Sequence, residues 1–393
     1  MVRQPVFNAD EEPVGHRLLS REGAAGRSGG YLAAAPDGAD GQLELAEDLH
    51  ALAPRGRVFL SVSRRELIER RALSLAQARF VLCLHPAEPF DDELGEAIDR
   101  HAMRGFRLAL DAAGLGAVDG PLLDRAHAVI VEVGPRSPEE LAGHLAPMRA
   151  RGLELVAARV ESRRSFEACR RLGFDLFQGQ FVLRPTPGPA RTVAEADLGG
   201  IGTMADLAAT ENFERLAAII TRDPGLSMRL LRYANSAHMA LPRRVGSVHE
   251  ALAWLGTVAV REFALIAAVA SVPEAPAEML ATALTRARMC QELSRRLPAA
   301  SPEESFTVGL FSVAETVANA PIEALLEELP LREDIASALV RGDGELGRLL
   351  AAVIAYECGD FGPATEIAGS SGLIAEVYLE SVRWADSAVK AVA

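Results

Sequence analysis

The chain predicts an α/β domain followed by an all-α domain: a TIM-like (β/α) barrel, one strand and part of its helical wall short of complete, and then a helical half. Three observations carry this reading. Between residues 58 and 187 short apolar runs alternate with longer amphipathic stretches, the pattern of strand and helix units around a parallel sheet, open or closed into a barrel. A segment rich in Pro and Gly, "RPTPGPART" at 184–192, breaks all periodicity, as linkers do. After it, residues 195–393 keep helical spacing almost throughout, with few β-branched runs of strand length.

The strand candidates come in order as "VFLSVS" (58–63), "FVLCLH" (80–85), "FRLALDA" (106–112), "AVIVEV" (128–133), "LELVAARV" (153–160) and "LFQGQFVL" (176–183). Adding "EPVGHRLLSR" (12–21) gives about seven, against the eight a (β/α) barrel requires. Between them lie "PFDDELGEAIDRHAMRG" and "SPEELAGHLAPMRARG", which open on Pro, Ser or Asp and close on Gly as capped helices do. A first half ending near residue 187 is also short of the roughly 250 residues typical of this barrel, so an incomplete wall with an exposed apolar face is expected. In the helical half, "TRDPGLSMRLLRYANS" (221–236) places Asp223 as N-cap, Pro224 at the first helical position, Leu226, Leu230 and Leu231 along one stripe, and Asn235 near the end. The expected domains are 1–187, a linker at 188–194, and 195–393.

Composition narrows the function. Of 393 residues, 49% are hydrophobic and 24% charged, which is globular and not disordered. The net charge is -13, and after Pro187 there are 17 basic against 27 acidic residues. Such an acidic half argues against phosphate-backbone binding, so no nucleic-acid partner is expected. No run of about 18 apolar residues occurs, and "MVRQPVFNADEEP" lacks a signal pattern; a cytoplasmic protein with no membrane partner is expected. Cys83, Cys169, Cys290 and Cys358 lie far apart without metal-ligand spacing and read as buried free thiols.

Taken in order, "RQPVFNADEEPVGHRLLSR", "LALDAAG", "ELVAARVES" and "GFDLFQGQFVLRP", followed by "RDPGLSMRLLRYANSA", "SVHEALAWLG", "LTRARMCQEL", "VGLFSV", "LPLREDIASALVRGDGELGRLLAAVIAYECGDF" and "YLESVRWA", resemble the bacterial proteins that fuse an EAL-type cyclic di-GMP phosphodiesterase domain to an HDOD domain. The resemblance covers nearly the whole chain. It implies hydrolysis of a cyclic dinucleotide by two divalent metals held by Glu, Asp and Asn oxygens at strand ends. Carried over residue by residue, the pattern is broken here: the metal-binding Glu of the naming signature falls on Arg17, the second-strand Asn on Ser61, the third-strand Glu on Cys83, the second of the paired aspartates on Ala112, the catalytic Lys on Ile130 and the later Glu on Ala158. Arg21, Asp111, Glu161 and Gln178 are what remains.

The helical half resembles HD hydrolases without their metal histidines: residues 193–393 hold only His238 and His249, and no His-Asp dipeptide occurs. These read as a loop residue and a helix-surface residue. Asn235 and Ser236 read as caps, Trp254 and Trp384 as core, "GDGELG" (342–347) as a turn between helices, and "EALLEELP" (323–330) as a solvated helix face. The expectation is a non-enzymatic signalling protein that works through unidentified signalling partners, with no metal or other cofactor. Cyclic di-GMP binding without hydrolysis is the alternative, through Arg21 on phosphate and Gln178 on a base edge, and cyclic di-GMP phosphodiesterase activity is the second.

Overall fold

The structure, a computed structural model, describes residues 2–19, 49, 52–53, 56–69, 79–85, 88, 90–112, 120–134, 138–183, 210, 212–235, 239, 241–269, 277–296, 301–318, 320–328 and 331–392. Contacts divide the chain into two compact units, Met1–Arg184 with Tyr356–Phe361, and Pro185–Ala355 with Gly362–Ala393.

The first unit is a closed barrel of eight strands in chain order: β1 (Val2–Phe7), β2 (Pro13–Leu19), β3 (Arg57–Val62), β4 (Phe80–Leu84), β5 (Arg107–Ala112), β6 (Ala128–Glu132), β7 (Glu154–Ala158) and β8 (Leu176–Gln178). From β2 to β8 neighbours are parallel, whereas β1 runs antiparallel to both β2 and β8. Closure bears out the TIM-like barrel and adds an eighth strand to the seven apolar runs read from the sequence. The missing strand is β1, which Pro5 disguises because proline inside a run argues against a strand; its partners on either side, β2 and β8, nonetheless complete the sheet.

Around it lie α1 (Arg64–Ile68), α2 (Asp92–Met103), α3 (Pro121–Arg125), α4 (Pro138–Ala150) and α5 (Arg163–Arg171). Their starts are locally encoded. Ser63 and Glu66 form a reciprocal capping box on α1, Asp91 accepts from the Leu94 amide at 2.9 Å, and Ser162 accepts from the Ser165 amide at 3.1 Å.

Strand alternation sorts the residues into two sets. Phe59, Val81, Cys83, Ala109, Ile130, Val156, Ala158 and Leu176 form one buried cluster inside the barrel, and their strand neighbours Leu60, Leu82, Leu110, Val131 and Ala157, equally buried, face the helices. The last strand is shorter than its apolar run suggests, since Gly179 at φ +151° ends it and a 3-10 turn follows at Phe181–Leu183. A Cβ at Gly179 would sit 2.2 Å from the Val160 carbonyl oxygen. Phe166, stacked on Phe181 at 4.5 Å and edge-on to Phe177 at 4.6 Å, fastens this corner to α5.

The second unit is helical: α6 (Phe213–Arg222), α7 (Pro224–Ala234), α8 (Val248–Val269, broken at Gly256), α9 (Ala277–Ser294), α10 (Pro302–Phe311), α11 (Ala314–Ala318), α12 (Ile322–Glu328), α13 (Glu333–Arg341), α14 (Gly344–Glu357), α15 (Gly362–Ala368) and α16 (Ser371–Val392). Asp223 caps α7 at the Leu226 amide at 3.0 Å with Pro224 at its first position. Helix α9 packs on α10 and α16, and it approaches α10 so closely that a Cβ on Gly309 would lie 2.6 Å from the Ala287 Cα. Asn235 ends α7 and clamps the following loop, accepting from the Val245 amide and donating to its carbonyl, each at 2.8 Å. Gly342, left-handed at φ +71°, ends α13 before α14 begins. On α12 Leu325 is buried while Glu323 and Glu327 face solvent.

Two residue assignments need correction. Trp254 is 43% exposed and not core, because the chain leaves the helical conformation at Gly256 (φ +82°, ψ +163°) and the apolar stripe changes phase there. Cys358 is exposed, unlike the other three thiols. No described helix is long and apolar enough to cross a membrane.

Candidate functional site

Adjacent strands bring the resembling positions to one interior layer. Arg17 pairs in register with Phe59, Ser61 with Cys83, Asp111 with Ile130 and Gln178 with Val6, so all of them share the face of the interior cluster. Ala112, next to Asp111 on β5, points instead to the outer face, where it is fully buried.

Arg17 is the centre of the site. Its side chain keeps only 10% exposure and spans the interior from β2 to β5 and β8. One guanidinium nitrogen, Nη2, donates to Asp111 Oδ2, and Nη1 donates to Gln178 Oε1 at 3.0 Å. The third nitrogen, Nε, is buried with no hydrogen-bond partner. Gln178 in turn donates through Nε2 to Gln4 Oε1, and Gln4 donates to the Glu357 carbonyl at 2.8 Å, within the same unit. A buried cation persists only when charge and hydrogen bonds compensate it, and Asp111 with Gln178 does so here. Gln4 was not singled out from the sequence. Its only signal there was a polar residue beside Pro5 in a segment not read as a strand.

Cys83 lies close enough to feel both charges. Burial pushes its thiol up to about 12, with Arg17 opposing and Asp111 reinforcing that rise. Glu161 sits at the exposed rim, 3.6 Å from Arg159, whose Nη1 also donates to Glu132 at 2.8 Å. Arg21 and His238 lie outside the described residues. His249 is exposed on α8, 3.7 Å from Glu214, and Trp384 meets Phe306 edge-on at 5.9 Å beneath Arg288.

These residues do not fit a two-metal centre. Asp111 is committed to Arg17, Cys83 offers a protonated soft donor where hard oxygen is needed, and Ile130 and Ala158 offer none. Among the described residues no three His, Cys, Asp or Glu side chains come together as a metal site.

The fold defines a class: a closed (β/α) barrel followed by a helical unit that holds an HDOD domain. Residues 207–328 match the HDOD domain family, so the helical half carries that domain, and the resemblance read from the sequence stands. The chain is 29% identical over 374 residues to the cyclic di-GMP phosphodiesterase CdgJ of Vibrio cholerae, a match covering 92% of this chain and 85% of that protein. It is 24% identical over 402 residues to the uncharacterized protein YuxH of Bacillus subtilis, covering 98% and 97%. Among solved structures it is similar to a PaMucR phosphodiesterase in complex with c-di-GMP, at 17% identity and a TM-score of 0.36, over 47% of this chain and 96% of that one.

The match to the Vibrio cholerae phosphodiesterase overturns the expectation of a non-enzymatic protein. That expectation was built from single positions inside the barrel. A (β/α) barrel carries its chemistry at the ends of its strands and beyond them, and residues 113–119 and 135–137, which follow β5 and β6 in the chain, lie outside the described residues, as do Glu22, Asp37 and Asp40.

Proposed function

We propose that this chain is a cytoplasmic cyclic di-GMP phosphodiesterase whose barrel, residues 1–187, receives the nucleotide, with the HDOD domain, residues 195–393, joined through 188–194 and serving contacts with signalling partners. The observation that carries the reading is identity across both domains with a protein named for that activity. Within the barrel, Arg17 presents a fixed guanidinium to a phosphodiester, and Asp111 and Gln178 hold its plane. Gln178, buried and bonded to Arg17 and Gln4, supports the guanidinium from below. Divalent metal in this family's reaction polarises the phosphate and supplies hydroxide; the described residues do not form its site.

The test uses purified full-length protein, cyclic di-GMP, and magnesium or manganese, with chromatography for the linear dinucleotide. Formation of the linear dinucleotide in proportion to the folded protein supports the reading. Absence of product with either metal, at protein concentrations equal to the nucleotide, would sink it; saturable binding without product would leave the barrel a receptor for the nucleotide.

A further inference from the structure

The helical unit contains a cavity of about 750 Å³ that the barrel chemistry does not use. Its wall is built from the first turns of four helices. Asn212 and Arg215 come from the start of α6, Thr257, Val258 and Arg261 from the segment of α8 that begins after Gly256, Ser301, Glu303, Glu304 and Thr307 from α10 and its N-cap, and Leu331, Arg332 and Ile335 from the start of α13. Each of these helical segments is long enough to carry a dipole, and the N-terminal end of each holds partial positive charge and unpaired amides.

Two of the four starts lack a side-chain cap. Gly256 has no side chain to supply one, and Arg332, the N-cap of α13, makes no capping hydrogen bond. Asn212 and Ser301 cap the other two. Convergence of helix starts is the geometry that binds phosphate elsewhere in proteins, and here side chains add to it. Three guanidiniums line the cavity. Arg332 is bound to Glu304 and Asp334, but the guanidiniums of Arg215 and Arg261 have no hydrogen bond or ion pair among the described residues. Of the two lining carboxylates, Glu304 is neutralised by Arg332, and Glu303 is bound by Ser301 Oγ at 2.9 Å. The carboxyl of Glu303 titrates below its ordinary value, chiefly through its own backbone amide and Ser301, with Arg261 contributing. In a half of the chain with 17 basic and 27 acidic residues, this is a local reversal of sign.

We propose that this cavity binds a phosphate-bearing small molecule of nucleotide size. The phosphate sits against the Arg215 and Arg261 guanidiniums beside the uncapped helix start after Gly256, where a doubly charged oxyanion gains more from several N–H donors than a carboxylate can. Inorganic phosphate alone would leave most of the volume empty, whereas the cavity lies in the range of small-molecule sites. Val258, 42% exposed, and Ile335 provide the apolar surface on which the flat body of the ligand rests.

The test is calorimetric titration of the full-length protein with guanosine monophosphate, linear diguanylate and inorganic phosphate, repeated on Arg261→Ala, Arg215→Ala and the conservative Arg261→Lys. The expected result is saturable binding of at least one nucleotide, weakened tenfold or more by each alanine variant, largely kept by Arg261→Lys, and weaker for inorganic phosphate. Melting temperatures within a degree or two of the parent protein show that the alanine variants are folded. No saturable binding up to millimolar concentration overturns the proposal. So does nucleotide binding that the alanine variants leave unchanged, or phosphate binding as tight as that of the nucleotides. Because neither arginine belongs to the barrel, turnover of cyclic di-GMP is expected to be equal in parent and variants, and failure here is separate from failure of the phosphodiesterase reading.

Discussion

Arg17 and Asp111, 94 residues apart in the chain, form an ion pair across the inside of the barrel, and Gln178 holds the same guanidinium from the opposite side. The pair is a joint between β2, β5 and β8. Removing either member strands the other charge in a poorly solvated place, so the single substitutions should cost more than the pair is worth in itself. Arg17→Ala and Asp111→Ala are each expected to destabilise the barrel by about 3 kcal/mol, at the lower end for a buried pair because Asp111 keeps some solvent exposure. The double substitution should cost less than the sum of the two. Urea unfolding of the three variants checks this; additive losses would mean that the two charges do not depend on each other.

The thiols give a second expectation, in the alkaline range. Burial pushes Cys83 up to about 12 and Cys169 up to about 11, against an ordinary value of 9.0. Above pH 9 the unfolded chain loses these protons while the folded chain retains them, so the unfolded state binds fewer protons and stability falls as pH rises. The fall begins near 9 and ends as each folded value is passed, with a slope of at most about 1.4 kcal/mol per pH unit for each thiol. Cys83→Ala should flatten the curve over this window and leave neutral-pH titration dependence unchanged. At neutral pH a thiol reagent should label Cys358 quickly and the three buried cysteines only on unfolding; a slope unaffected by Cys83→Ala would contradict its burial as the cause.

What was legible in the sequence depended on the range of the interaction. The cap at Asp223 and Pro224 involves residues three apart, and it formed as read. Seven strands were visible as apolar runs, but β1 was not, since its pairing to β2 and β8 overrides the local penalty of Pro5. Trp254 was misplaced because periodicity was extended to a glycine whose conformation ends the helix. The positions Arg17, Asp111 and Gln178 could be named one by one, yet their hydrogen bonds, and Gln4 behind them, follow from barrel closure. The four helix starts around the second cavity are spread over more than a hundred residues, and no spacing rule joins them.

Gly179 tests the corner where β8 ends. Its φ of +151° lies where side chains are disfavoured, and a Cβ would meet the Val160 backbone oxygen, nitrogen and carbon at 2.2 to 2.8 Å. These are backbone atoms that also take part in the turn, since Val160 N donates to the Gln178 carbonyl at 3.0 Å and Phe181 N to the Val160 carbonyl at 3.1 Å. Gly179→Ala is therefore expected to cost about 3 kcal/mol or more, combining backbone strain with overpacking. Chemical denaturation checks the loss. A change below about 0.5 kcal/mol, the usual range for an unconstrained surface site, would show that the corner can open without cost.

Glu262 on α8 provides the acid-side counterpart in the helical unit. Its carboxyl titrates above the ordinary value, with burial as the main cause; the hydrogen bond from Gln291 and the charges of Arg288, Arg261 and Arg295 oppose the shift without cancelling it. Between the ordinary and the raised value the folded chain holds a proton that the unfolded chain has lost, so stability decreases as pH rises through that window. Glu262→Gln keeps an amide oxygen for Gln291 to donate to and removes the buried charge. It is expected to raise neutral-pH stability, because the carboxylate that burial disfavours is gone, and the gain should shrink as the solution is acidified below the ordinary carboxylate range. Thermal unfolding of parent and variant from pH 4 to 7.5 measures it. A variant less stable at neutral pH than at pH 4, relative to the parent, would mean that the surrounding arginines favour the carboxylate more than burial opposes it.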